Sequence, residues 1–368
     1  MKRAMHWIKS QIKKHRIKKQ FLHLLIILLV IIGLLEIIGL FVFDNRYYWN
    51  SRYLNYSESA LTNQTIEYQG KSVVFWKYRP NEEVRTSAVY ADFLGAKIEY
   101  DCKFTTNRLG FIDAGNPDAP VDFLILGDSF TEGQGGCPWL TKKALESDEE
   151  LKQFNLLNGG LQGTGIQAFE KVLAFHEQSV DLKNVIIIAI SNDFKRGDAF
   201  PWPLENPCYQ ALDCDQNDYW YFTKKNISDA TLKQQAINRR IDRKPSLKQE
   251  ISRYSFTWFV YQKLAGILRS TQKPSLTAYE ANFAALERIK AKYPNMALIL
   301  VPQRDEVGLF GRENFDTQYV KQFLQKKGIA FSSCELEAGD YMPIDGHPNA
   351  LGYEKLMGCV KAYLISLP

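Results

Sequence analysis

Val121-Asp-Phe-Leu-Ile-Leu-Gly-Asp-Ser129 (VDFLILGDS) is a short apolar run that ends abruptly in a turn. Runs of this length, bounded by Gly and Asp, read as strands buried on both faces, the kind found in parallel sheets. The pattern recurs along the chain. Phe154–Leu157 leads into Asn158-Gly159-Gly160, Asn184–Ile190 (NVIIIAI) into Ser191-Asn192-Asp193, and Ala297–Val301 and Ile329–Phe331 add two further runs. Between them lie helical patterns over Ile166–Gln178, Ala278–Tyr293, Thr317–Lys327 and Leu351–Leu367. In the first of these, Ile166, Phe169, Val172, Leu173 and His176 share one face. Strands alternating with helices predict a flavodoxin-like three-layer α/β/α fold over 121–368, with a mostly parallel sheet covered on both faces. Such sheets bind ligands in the loops at the carboxyl ends of their strands.

Working outward, residues 200–270 break the rhythm with an insert rich in Pro, Trp and Cys, followed by a charged helical stretch. Within Phe200–Phe222 two Trp and three Tyr lie among prolines, and the insert follows the Asn192 strand end. It is expected either to wall the site with faces for sugar rings or to form a small satellite core under a long loop. Residues 44–120 read as a linker and a β-leaning lead-in, with SVVFW and AKIEY broken by Asn, Gly and Pro. No internal repeat or low-complexity tract is present.

The N-terminal end is of another kind. Phe21–Phe43 is almost wholly apolar, and at about 1.5 Å per residue it is long enough for a hydrocarbon core of roughly 30 Å. Residues 1–20 carry eight of the 46 Lys and Arg and no acid, which leaves 38 basic against 41 acidic side chains beyond them. The flanking charge predicts a cytoplasmic N-terminus, one signal-anchor helix at 21–43 and an exported remainder, with Tyr47, Tyr48 and Trp49 at the interface. Glu36 interrupts the apolar run, either as a tolerated defect or as a group paired with a partner's helix. Nothing in the slightly acidic body suggests a nucleic-acid footprint. All six cysteines (Cys102, Cys137, Cys208, Cys214, Cys334, Cys359) follow the anchor, as disulfides in an oxidising compartment require. Fifteen pairings are possible, with Cys208 and Cys214 able to close a small loop. A bacterial inner membrane, single-pass, with the large domain in the periplasm, is the expected location. The sequons at Asn63 and Asn226 would matter only in a eukaryotic secretory pathway.

General-base chemistry near neutral pH usually uses histidine. Of five, His6 and His15 precede the anchor and His23 lies at its edge, leaving His176 and His347. His176 sits on the apolar face of its helix and reads as structural. His347 lies in Asp345-Gly-His-Pro-Asn349, a turn-rich loop where a carboxylate two residues upstream suits a base and its orienting acid. Ser129, at the end of the first strand, is the candidate nucleophile; the competing role for Asp128 or Ser129 is a helix N-cap. Asp128 and Asp193 are expected to brace loops. No metal, zinc or nucleotide motif accompanies these residues, so no cofactor is expected, and NGGLQGTG lacks the dinucleotide fingerprint.

In order, GDS, NxGxxG, ND and D-x-H-P-N resemble the SGNH (GDSL-like) hydrolase family over roughly residues 121–365. The resemblance implies Ser129 as nucleophile, His347 as base and Asp345 as orienting acid, with an oxyanion hole made by Ser129, Gly163 and Asn192. Gly160 is the alternative glycine donor. Two departures stand out: Ile190 occupies the family's usual glycine of GxND, and Asp345 precedes His347 by two residues rather than three. The function implied is a membrane-tethered serine esterase removing acyl groups, acetyl above all, from an envelope or extracellular glycan. Two alternatives are an O-acyltransferase working with a multi-span membrane partner, and a non-catalytic scaffold or glycan-binding module.

Overall fold

Leu124 and Leu126 of the first strand pack into one hydrophobic layer, while Phe123 and Ile125 pack into another. This period-two division appears in a computed structural model that describes residues 20–39, 51–57, 60–92, 95–196, 220–242, 255–258, 260–261, 265, 276–308 and 311–366. The chain divides into two units, Met1–Asn50 with Lys244–Gln272 and Ser51–Arg243 with Lys273–Pro368.

In the first unit, helix α1 (Gln20–Gly39) has a mean hydropathy of 3.0 and is long and apolar enough to cross a membrane. Glu36 is not a bare defect in it. Its carboxylate accepts hydrogen bonds from the Ser255 hydroxyl at 2.7 Å and from the Phe256 and Thr257 N–H groups at 2.8 and 3.1 Å. One turn on, a Cβ at Gly39 would lie 2.6 Å from Phe256 Cβ, so glycine permits this close approach. Residues 1–19, 40–50 and most of the 200–270 insert, with Cys208 and Cys214, lie outside the described residues.

The second unit contains strands β1 (Ser51–Ser57), β2 (Leu61–Tyr68), β3 (Lys71–Tyr78), β4 (Glu83–Asp92), β5 (Gly95–Thr105), β6 (Val121–Gly127), β7 (Leu156–Gly160), β8 (Leu182–Ala189), β9 (Trp220–Thr223), β10 (Ala297–Leu300) and β11 (Ser332–Ser333). Its helices are α2 (Ser129–Glu132), α3 (Lys142–Ser147), α4 (Ile166–His176), α5 (Asp229–Asp242), α6 (Thr277–Lys292), α7 (Phe315–Lys326) and α8 (Ala350–Ile365). The main sheet runs β11-β10-β8-β6-β7 with every pairing parallel. Numbered within the sheet, this is the 2-1-3-4-5 flavodoxin-like order, whose switch point lies between β6 and β8. Helices α4, α6 and α7 cover one face through Phe169, Phe283, Leu286 and Leu324. Helices α3 and α8 cover the other through Leu145, Leu356 and Val360. Each such fully buried side chain contributes roughly 1.5–3 kcal/mol.

Most element boundaries shift by one or two residues from expectation, and two shifts have a clear physical cause. Strand β7 runs on through Asn158-Gly159-Gly160, because these residues pair with Ile125, Leu126 and Gly127 of β6 instead of turning away. The last strand is Ser332–Ser333 rather than Ile329–Phe331. Gly328, at φ +62°, ends α7, and the Ile329 N–H bonds back to the Leu324 carbonyl, tucking Ile329 into the core.

Residues 51–105 form two antiparallel assemblies. β2 and β3 make a hairpin whose Gln69-Gly70 turn has both residues at positive φ, matching the strands' twist. The other sheet is ordered β5-β4-β1-β9, and β9, from the insert, pairs parallel with β1. Disulfides join Cys102 to Cys137 and Cys334 to Cys359. In the chain-entropy account, closing loops of this size stabilises the fold by about 3–4 kcal/mol each.

Candidate active site

The carboxyl end of β6 turns sharply at Gly127. A Cβ there would sit 1.8 Å from the Thr131 hydroxyl and 2.5 Å from the Ile188 carbonyl, so no larger residue fits between β8 and the first turn of α2. Asp128 caps α2, accepting from the Phe130 N–H at 2.9 Å, and Ser129 opens the helix. Of the two residues weighed as the cap, Asp128 takes that place, which leaves the Ser129 hydroxyl free of it. Ser129 is only 4% exposed.

The loop before α8 meets it. His347 Nε2 lies 2.7 Å from Ser129 Oγ, and His347 Nδ1 lies 2.6 Å from Asp345 Oδ2. The short D-x-H spacing works because the middle residue is Gly346 at φ +79°, a left-handed conformation that turns both flanking side chains toward each other. Phe130 packs its ring 5.2 Å from the imidazole. Asn349 caps α8 through the Gly352 N–H, and Tyr353 of α8 donates to the Gln134 carbonyl, fixing the chain just beyond α2.

Asn192 lies in the 3₁₀ turn after β8, Ser191–Phe194. Its side-chain amide donates to Gln303 Oε1 at 2.8 Å, and Gln303 in turn donates to Ser191 Oγ. One of the two amide N–H groups is thereby used to orient the other. Among the described residues, no hydrogen bond joins Asn192 or Gly163 to Ser129 or His347. Gly163 adopts φ +71° in the loop after β7. The Gly160 N–H is already taken by Asn158 Oδ1 at 3.0 Å, and a Cβ on Gly160 would lie 2.3 Å from the Glu132 nitrogen. Gly160 therefore serves the close packing of β7 on α2. Ile190, standing where the family has glycine, is a buried core residue whose N–H donates to Asp193 Oδ2.

Asp128 and Asp193 brace the loops through a residue the sequence did not single out. Arg196 Nη1 donates to Asp128 Oδ2 at 2.6 Å and to Asp193 Oδ1 at 2.7 Å. Burial, with the Asp128 charge beside it, pushes the Asp193 carboxyl well up, and the guanidinium opposes that shift. Gln303 follows the strand end at β10, where a search of carboxyl-end loops would have found it. His176 lies between Phe111 and Phe175, buried, and burial lowers its pKa to about 3. It is a neutral core residue, with its Nδ1 unpaired among the described residues. Among those residues, no group of three or more His, Cys, Asp and Glu side chains is placed to hold a metal.

No family model matches the chain, and no curated protein matches it. Among solved structures it is similar to an acetylxylan esterase from Geobacillus stearothermophilus, at a TM-score of 0.34 and 13% identity, covering 70% of this chain and 96% of that one. A G-D-S-L family protein from Desulfitobacterium hafniense DCB-2 is similar at 0.31 and 16%, covering 67% and 99%. A carbohydrate esterase is similar at 0.32 and 12%, covering 86% and 87%. All these TM-scores lie below 0.5.

Proposed function

We propose that this chain is a membrane-tethered serine esterase of SGNH type that removes acyl groups, acetyl above all, from an envelope or extracellular glycan. One observation carries the reading: the imidazole of His347 lies within hydrogen-bond distance of both the Ser129 hydroxyl, at 2.7 Å, and the Asp345 carboxylate, at 2.6 Å. A hydroxyl is a weak nucleophile until an adjacent base takes its proton. His347 Nε2 removes the proton as Ser129 Oγ attacks the ester carbonyl, and Asp345 holds the Nδ1–H tautomer and stabilises the imidazolium. The alkoxide-like oxygen is met by the Ser129 and Gly163 N–H groups and by the Asn192 amide. His347 then protonates the leaving alcohol and later activates the water that releases the acid.

The two disulfides support action outside the cytoplasm, and α1 supports tethering. Glu36, the feature that pointed to a multi-span partner, finds its donors within the chain. Incubation of the detergent-solubilised full chain with acetylated xylo-oligosaccharides and p-nitrophenyl acetate tests the reading. Acetate release in excess of transfer to added sugar supports an esterase, and dominant transfer overturns hydrolysis in favour of acyl transfer.

A further inference from the structure

Asp345 is held from a direction that the linear motif does not reveal. Its Oδ2 faces His347, while its Oδ1 accepts from the Tyr90 hydroxyl at 3.1 Å. Tyr90 is on β4, 255 residues away along the chain, and is 3% exposed. On the neighbouring strand, Glu99 clamps the same loop: Oε1 accepts from the Ile344 N–H at 2.7 Å and Oε2 from the Asp345 N–H at 3.0 Å. Both carboxylate oxygens are thus committed to two successive backbone donors.

Glu99 reaches the loop because the sheet is irregular at that point. Ala88 pairs with Tyr100 and Val89 with Ile98, so Glu99 is the extra residue of a β-bulge. Bulges re-aim a side chain out of the regular alternation. Three residues further along β5, Cys102 is bonded to Cys137, in the segment that follows α2. One strand is therefore tied both to the loop of the base and to the segment just beyond the nucleophile.

We propose that Tyr90 and Glu99 are positioning residues for the reaction, the β4–β5 bulge holding the Asp345–His347 loop where its imidazole meets Ser129. The inference rests on the serine-esterase reading and adds to it that the β5-β4-β1-β9 sheet is part of the active site. A displacement of about 1 Å in such a relay costs up to a hundredfold in rate.

Turnover of p-nitrophenyl acetate by the full chain in detergent tests this in a double-mutant cycle. Tyr90→Phe, which removes only a hydroxyl, is expected to lower kcat about tenfold with KM unchanged, and Glu99→Gln somewhat more. In an Asp345→Asn background the Tyr90→Phe effect is expected to shrink to less than about twofold, because that hydroxyl acts through the Asp345 carboxylate, whereas the Glu99→Gln effect, which acts through the loop backbone and so on His347, is expected to persist. Full activity in either single variant, a change confined to KM, or a Tyr90→Phe loss of equal size in the Asp345→Asn background would overturn the inference. If Asp345→Asn alone leaves kcat intact, it is the triad reading that fails.

Discussion

His347 and Ser129, 218 residues apart, meet at 2.7 Å between Nε2 and Oγ across the switch point of a five-stranded parallel sheet. The two sides arrive by different routes. Ser129 is fixed by a strand end that only glycine at 127 permits, and His347 by a left-handed glycine at 346.

Asn192→Ala is expected to lower kcat by about a hundredfold or more, as loss of an oxyanion donor does. Gln303→Ala, which removes the amide's orienting acceptor, should cost less, about tenfold, through kcat rather than KM. Steady-state kinetics of the two variants checks this order. A larger loss at Gln303 would contradict the division of roles.

Gly346→Ala places a Cβ on a residue at φ +79°. The strain is about 1–3 kcal/mol, and the Asp345–His347 pairing depends on that turn. A lowered thermal midpoint together with a loss of turnover is expected; unchanged activity would show that the pairing survives another backbone conformation.

Glu132, three residues beyond Ser129, is fully buried, and burial raises its carboxyl from the ordinary 4.5 to about 7. Tyr56 brings its hydroxyl within 3.0 Å of Glu132 Oε1 and 2.6 Å of Gln162 Oε1. One hydroxyl proton cannot serve both acceptors, and a protonated Glu132 supplies the second. Because the folded value is raised, this group stabilises the fold fully below about 4.5, and its contribution is lost as pH rises through 7. His176, depressed to about 3, acts in the opposite sense between 3 and 6.5. The thermal midpoint of Glu132→Gln minus that of wild type is therefore expected to rise between pH 5 and 8, and a flat difference would count against the assignment.

Replacing Cys102 and Cys137 together by Ser should lower stability by about 3–4 kcal/mol if loop closure alone is at work. Denaturant unfolding of the variant measures it. Since β5 also carries Glu99, turnover should fall in the folded variant as well.

What was legible in the sequence follows from what is local. VDFLILG and NVIIIAI announce strands because both faces are buried, and GDS and D-x-H lie at their ends or before the last helix. The glycines after Asn158 suggested a turn, yet only the neighbouring strand shows that they are needed for close packing. Tyr90, Glu99 and the β1–β9 pairing were not legible, because partners 166 to 255 residues apart leave no periodic signal. Arg196 was hidden for the same reason: its value lies in two acids that only the fold brings together.

The most direct measurement is labelling of the full chain by a fluorophosphonate probe, with peptide mapping of the adduct. The account predicts one adduct, on Ser129, absent in Ser129→Ala and slowed by about a thousandfold or more in His347→Ala. An adduct elsewhere, or labelling of the same rate in His347→Ala, would contradict it.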